Sequence, residues 1–328
     1  MNRIVIKALN LVRRLYGSWH PSKALLLHRN DNPEEIAAEI EHLLLSDAPC
    51  MISRFGSCEL NCANNYLSIK QGWHNVLKYL KGEVPAFWWQ ESVVKSMANN
   101  AGFFSNTTEL LARFAERYLE DARQIDILGS WCQAEHDVAD YISGAYKANL
   151  LYLEPYFAQH PWSRVLAGKK ILVVHPFAQL IKRQYEEHRQ QLFENQEVLP
   201  RFELSVLPAV QSIGGVANGF DTWFDALHFM EEAIDGIDYD ICILGCGAYG
   251  LPLAAHVKRS GKKAIHLGGA TQLLFGIKGK RWENPEYGSN EPGFPHGFYL
   301  SLFNEYWVRP GENDKPASAN KIENGCYW

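Results

Sequence analysis

Short apolar runs, each closed by a turn and most of them separated by amphipathic stretches, recur along this chain. They are PCMISRF (residues 49–55), IDILGSW (125–131), NLLYLEP (149–155), KKILVVHPF (169–177), FELSVLPAV (202–210), DICILGCG (240–247) and KAIHLGG (263–269). Runs that are apolar without polar alternation suit strands covered on both faces, which is the condition of a parallel sheet between helix layers. Asn32, Pro33, Glu34 and Glu35 read as an N-cap, a first-turn proline and two acids that complement the helix dipole, ahead of Ile36, Ala37, Ile40, Leu43 and Leu44 at helical spacing. Further helices are expected over residues 59–70, 90–100, 108–123, 178–195 and 222–234. The alternation specifies an α/β fold, a Rossmann-like, doubly wound, mostly parallel sheet of about six to seven strands.

A chain of 328 residues that is 47% hydrophobic can bury a substantial core, and a net charge of -5 excludes the overall basic field that drives nonspecific nucleic-acid binding. The seven cysteines are odd in number and form no C-x-x-C pair, which points to reduced thiols in a cytoplasmic protein rather than a disulfide frame or a structural zinc site. The longest apolar stretch, 241–257, is broken by Gly245, Gly247, Gly250, Pro252 and His256, so no membrane span is expected. Residues 1–30 carry Arg3, Lys7, Arg13, Arg14, Lys23 and Arg29 and no acid. Such a segment is either a basic amphipathic helix lying on the inner face of a membrane or a helix packed on the body. A single domain is expected over 31–310, followed by a polar tail, 311–328, whose closing Cys326, Tyr327 and Trp328 are expected to dock on it.

Ligands of open parallel sheets bind beyond the carboxyl ends of the strands. The segments there are RFGSCE, GSWCQAEHD, HPFAQ, AVQSIGG, GCGAYG and LGGATQLLFGIKGKRW, rich in glycine turns and cations. Backbone N–H groups in such turns favour phosphate oxygens, and Arg54, Lys278, Lys280 and Arg281 can neutralise them, so a nucleoside diphosphate suits this lining. Gly245, Gly247 and Gly250 follow the G-x-G-x-x-G pattern of dinucleotide and S-adenosylmethionine sites, but the next strand ends in His266, Leu267 and Gly268 where those sites place an acid. The D-x-D at Asp238 and Asp240 precedes its strand and reads as a solvated turn. His136, His175, His256 and His266 lack metal-ligand spacing; His175, at a strand end beside a proline turn, is the one with a candidate chemical role.

At SRFGSCEL, residues 53–60, the chain resembles the GT-D glycosyltransferases, a Rossmann-like group whose first strand ends in an R-F-G-D-G-E-like motif. Arg54, Phe55, Gly56 and Glu59 match that motif, whereas Ser57 replaces its aspartate and Cys58 its second glycine. Segments across residues 50–328 look like proteins of bacterial surface-polysaccharide synthesis, such as capsule and O-antigen. The resemblance implies transfer of a sugar from a nucleotide-diphosphate donor, a UDP-sugar first, to a glycan or a lipid-linked acceptor. It also implies a divalent metal, Mn²⁺ or Mg²⁺, with Glu59 as the surviving ligand of the acid pair.

In that setting Arg54, Lys278, Lys280 and Arg281 would hold the diphosphate with turn N–H groups at Gly56, Ser57, Gly245, Gly247, Gly250 and Gly268. Glu59 would serve as base, with Glu135 and Asp137 behind it. Gln211, Ser212 and Gln272 would bond sugar hydroxyls, and Trp131, Tyr249 and Trp282 would stack on base or sugar. Two alternatives stand beside this reading: an NAD- or S-adenosylmethionine-dependent enzyme using Gly245, Gly247 and Gly250, and a non-catalytic nucleotide-sugar-binding subunit.

Overall fold

The computed structural model describes residues 2–20, 26–212, 219–289, 291, 294–311 and 327–328. Its strands are β1 (Cys50–Arg54), β2 (Ile127–Ser130), β3 (Tyr146–Asn149), β4 (Lys170–His175), β5 (Glu203–Pro208), β6 (Ile241–Leu244) and β7 (Lys263–His266). They form one sheet in the order β3-β2-β1-β7-β6-β4-β5, and every pair is parallel. The helices are α1 (Arg3–Trp19), α2 (Pro33–Leu45), α3 (Ser57–Gln71), α4 (Val76–Leu80), α5 (Glu91–Asn99), α6 (Thr108–Ala122), α7 (Ala178–His188), α8 (Trp223–Asp235), α9 (Gly250–Arg259), α10 (Thr271–Leu274) and α11 (Phe298–Leu302).

Alternate residues of each strand feed two cores. Met51, Leu128, Leu172, Val174, Cys242, Leu244 and Ala264 face α3, α6, α8 and α9. Ile52, Ile127, Ile171, Val173, Ile241, Ile243 and Ile265 face α2, α7, α10 and α11. This is why the strands read as unbroken apolar runs. The architecture is the Rossmann-like, doubly wound sheet that the alternation specifies.

Local chemistry sets the helix starts. The Asn32 side chain accepts the N–H groups of Glu34 and Glu35 behind Pro33, and Thr222 and Asp225 form a reciprocal capping box on α8. From β1 the chain runs outward to β2 and β3, and from β4 outward to β5 at the other edge, leaving β7 and β6 between them. The carboxyl ends of β1, β7, β6 and β4 therefore open side by side onto one crevice.

Two expectations need correction. The run NLLYLEP is not a strand: β3 ends at Asn149, whose side chain accepts the N–H of Leu151 and starts a 3-10 turn, Leu150–Leu153. Its apolar character comes from packing, with Leu153 in the core shared with α2. The helix expected over 178–195 ends at His188 and passes into a short 3-10 turn. Asp238 and Asp240 lie at the opposite end of the sheet from the crevice, where Asp238 pairs with Lys170 and Asp240 accepts the Lys170 N–H at 2.8 Å. The six cysteines among the described residues are free, and Cys326 lies outside them. No helix among the described residues is long and apolar enough to cross a membrane.

Candidate functional site

A cavity of about 590 Å³ occupies the crevice. One wall is the turn after β1. Arg54 projects there with its guanidinium over the Trp131 ring, 5.4 Å from the centroid, and its buried Nε makes no hydrogen bond among the described residues. Trp131 is fixed in turn because its Nε1–H donates to the Phe55 carbonyl at 3.1 Å.

Glu135 stabilises this arrangement from outside the cavity. It is fully buried, accepts the Ser130 hydroxyl, and accepts the N–H groups of Trp131 at 3.0 Å and Cys132 at 3.4 Å. It is therefore a capping carboxylate that holds Trp131, not a base facing a substrate. Asp137 also stands off the cavity, where its carboxylate accepts from Asn64 at 3.1 Å.

The opposite wall is the glycine-rich stretch after β6, and each of its glycines has its own reason. A Cβ at Gly245 would lie 2.5 Å from the His175 ring and 2.7 Å from Thr271, and one at Gly250 would lie 2.2 Å from His266 Nε2. Both serve close packing, so Gly250 braces α9 against β7 and does not line the cavity. Gly247 adopts φ +57° with open space around it, and its turn lines the cavity. Gly268, at φ +62°, comes against the Arg54 side chain, so the β7 and β1 turns meet. The first turns of α3 and α9 both border the cavity and bring two positive helix ends to it.

Among the described residues two side-chain carboxylates line the space. Glu59 sits in the first turn of α3 and folds back over Gly56: a Cβ there would fall 2.0 Å from its Oε2. The glycine of R-F-G is thus what lets Glu59 reach its position. The second is Glu154, which sequence reasoning did not single out. It follows the 3-10 turn after β3, is buried, and accepts the hydroxyls of Tyr156 and, at 3.1 Å, Tyr299. Burial pushes its carboxyl up to about 7 although both tyrosine hydrogen bonds pull it down. An acid inside an apolar run, directly before a proline, was the available signal.

Folded, Glu154 keeps its proton to about 7, against 4.5 in the unfolded chain, so its contribution favours the folded state less and less as pH rises through that window. The swing is about 3 kcal/mol. Glu154→Gln should remove it, so the stability of the variant relative to the parent should rise by about that amount from mildly acidic to neutral pH, measured by urea denaturation. An unchanged difference between the two pH values would show that Glu154 titrates normally.

His175 and His266 behave as core residues. His175 accepts the Phe177 N–H on Nδ1 at 2.9 Å, which leaves the proton on Nε2, and burial pushes the ring down to about 3. A ring so weakly basic takes up no proton near neutrality, so His175 lines the cavity as a neutral N–H donor and not as an acid or base. His266, joined to the Ser53 hydroxyl at 3.1 Å, is pushed down to about 3 by burial and by the Arg54 charge.

Among the other expected residues, Ser57, Gln211, Ser212, Tyr249, Gln272, Arg281 and Trp282 line the cavity. Some of them are already engaged. Tyr249 stacks on Trp223 and shares a 3.1 Å contact with Ser212. The Gln272 amide donates to the carbonyls of Ile277 and Tyr327. Lys278 and Lys280 are not brought in: Lys278 lies over Phe303 and Lys280 is exposed. Tyr327 and Trp328 are docked, Tyr327 against Gly269 and beneath Arg281, Trp328 against Phe177, and both line the cavity.

Ser57 offers a hydroxyl and Cys58 a thiol where the D-x-E pattern would supply a second hard oxygen anion. Among the described residues no group of three His, Cys, Asp or Glu converges to hold a metal ion. The donors among the described residues do not fit the divalent ion that the resemblance implies, and the cations Arg54 and Arg281 are in the cavity lining. No protein-family profile, curated protein or solved structure matches this chain.

Proposed function

We propose that this chain is a glycosyltransferase of GT-D type that moves a sugar from a nucleotide-diphosphate donor, a UDP-sugar first, to a glycan or lipid-linked acceptor of a bacterial surface polysaccharide. One observation carries the reading. The R-F-G-S-C-E turn of β1, which bears the resemblance, and the glycine turns of β6 and β7 wall the same cavity, with Arg54 and Arg281 in its lining. Its chemistry suits a diphosphate: two helix N-termini, the Gly247 turn in the lining, and the Arg54 guanidinium.

In transfer with inversion, the acceptor oxygen attacks the anomeric carbon while the bond from that carbon to the diphosphate oxygen breaks. Glu59 takes the acceptor proton, and the charge released on the diphosphate is met by Arg54, Arg281 and the helix ends. Of the aromatic lining, Tyr249 and Trp282 are buried, and the partly exposed Trp131 and Tyr287 offer faces for the nucleobase and sugar.

Calorimetric titration with UDP-, GDP-, CMP- and dTDP-sugars, NAD(P) and S-adenosylmethionine tests the ligand class. A nucleotide sugar is the expected ligand. Glu59→Gln should then lower transfer by about 10²- to 10⁴-fold with donor affinity retained. Binding of NAD(P) or S-adenosylmethionine alone would instead favour the Gly245-to-Gly250 enzyme. Donor binding without transfer to any acceptor would mark a non-catalytic subunit.

A further inference from the structure

Helix α1 holds to the rest of the protein by one narrow face. Ile6, Leu9, Arg13 and Tyr16, spaced three and four residues apart, are its half-buried positions, and none of its residues is fully buried. Arg13 anchors that face by donating to the Val84 carbonyl at 3.0 Å and lying over the Tyr79 ring, while the Tyr79 hydroxyl bonds Asn10. Leu9 packs on the small cluster of Tyr79, Ala86 and Phe87.

A second stripe runs along the helix away from that contact. Ile4, Leu11, Leu15 and Trp19 recur at helical spacing and are 75%, 59%, 56% and 82% exposed. Val12 adds to the stripe at 48% exposed, so α1 carries most of its large aliphatic side chains and its tryptophan on a side that is exposed among the described residues. Arg3, Lys7 and Arg14, also exposed, fall together along one flank of the stripe, and α1 contains no acid. A helix that seated only on protein would turn its apolar stripe inward and its cations outward. Here one face binds the body and a different face is apolar, bordered by positive charge and tipped with tryptophan.

We infer that α1 is an interfacial anchor that lays its Ile4, Leu11, Leu15 and Trp19 stripe into the headgroup boundary of an anionic bilayer, with Arg3, Lys7 and Arg14 on the lipid phosphates. Charge complementarity chooses this occupant: a second copy of the chain would bring the same cations against themselves, whereas an anionic lipid surface neutralises them. The inference rests on α1 alone and stands whether or not the cavity binds a nucleotide sugar.

The test is co-sedimentation of the full chain with vesicles of phosphatidylglycerol and phosphatidylethanolamine, beside vesicles of phosphatidylcholine. The chain should pellet with the anionic vesicles and stay largely free with the zwitterionic ones. Leu11→Glu with Leu15→Glu should cut the partition coefficient by about tenfold or more, and Lys7→Glu with Arg14→Glu should cut binding to the anionic vesicles alone. All four positions are exposed, so unchanged thermal melting verifies that the variants fold. A chain that remains in the supernatant with anionic vesicles overturns the inference. So does a dimer, seen by light scattering, that the leucine substitutions dissolve without any vesicle binding in the parent.

Discussion

Arg54→Met is expected to weaken UDP-sugar binding by about 10- to 100-fold while leaving the melting temperature unchanged or slightly higher, because a charge-assisted hydrogen bond contributes roughly 1.5 to 3 kcal/mol. The two halves of this expectation have the same origin. Arg54 Nε is buried without a hydrogen-bond partner among the described residues, so the folded chain bears the desolvation of that donor and recovers nothing for it. A phosphate in the cavity would be met by the Nη groups of the same guanidinium. Removing the guanidinium therefore removes a cost from the free protein and a gain from the complex. Arg54→Lys should restore little, since an ammonium has no planar fork to lie over Trp131 and reach a phosphate at once. Calorimetric affinity and a thermal melt of the same variant check both halves. An affinity unchanged by Arg54→Met would place the diphosphate elsewhere.

Acid should unfold this protein early. His175 and His266 are buried, and each is held down to about 3 against 6.5 for a free imidazole. The unfolded chain binds their protons at a higher pH than the folded one does, so stability present above 6.5 is lost progressively as pH falls toward 3. At the acid limit the loss is about 5 kcal/mol for each ring, against total stabilities that run to about 5 to 15 kcal/mol. Glu154 works in the opposite direction between 4.5 and 7, and the Asp121 and Asp137 carboxyls, also raised by burial, add to it; the two imidazoles outweigh Glu154, and the slope just below 6.5 is destabilising toward acid. Circular-dichroism melts from neutrality down to a pH of about 4.5 should show a falling midpoint, and His175→Asn with His266→Asn should flatten the slope. A parent midpoint that does not move over that range would mean that the two rings titrate as if exposed.

The strands were legible in the sequence because burial on both faces demands unbroken apolar runs, and helices at either face demand periodic ones. The single run misread as a strand, NLLYLEP, is apolar for the same reason as the others, since it packs on α2, and hydrophobicity alone does not tell a buried 3-10 turn from a strand. At the site, the residues next to strand ends were found by position: Arg54, Glu59, His175, Gly247 and Gly268 all reach the cavity. Sequence reasoning placed charges by proximity along the chain, and there it failed. Lys278 and Lys280 stand two and four residues past a left-handed turn at Gly276 that leads them away, whereas Arg281 is carried in. Glu135 reads like a catalytic acid and is a cap, because four donors from residues 130–132 surround its carboxylate.

What the sequence determined by itself is the periodicity of its apolar residues, and with it the layers, the parallel sheet and the end of the sheet at which chemistry gathers. Only the tertiary structure decided which side chains meet there. Glu154 comes from the loop after β3, Arg54 from β1 and Tyr327 from the far end of the chain, and they share one cavity because the strand order brings distant segments side by side. Periodicity is a local property set by how each residue meets its neighbours three or four positions away. Convergence depends on the order of strands in the sheet, which no local pattern encodes.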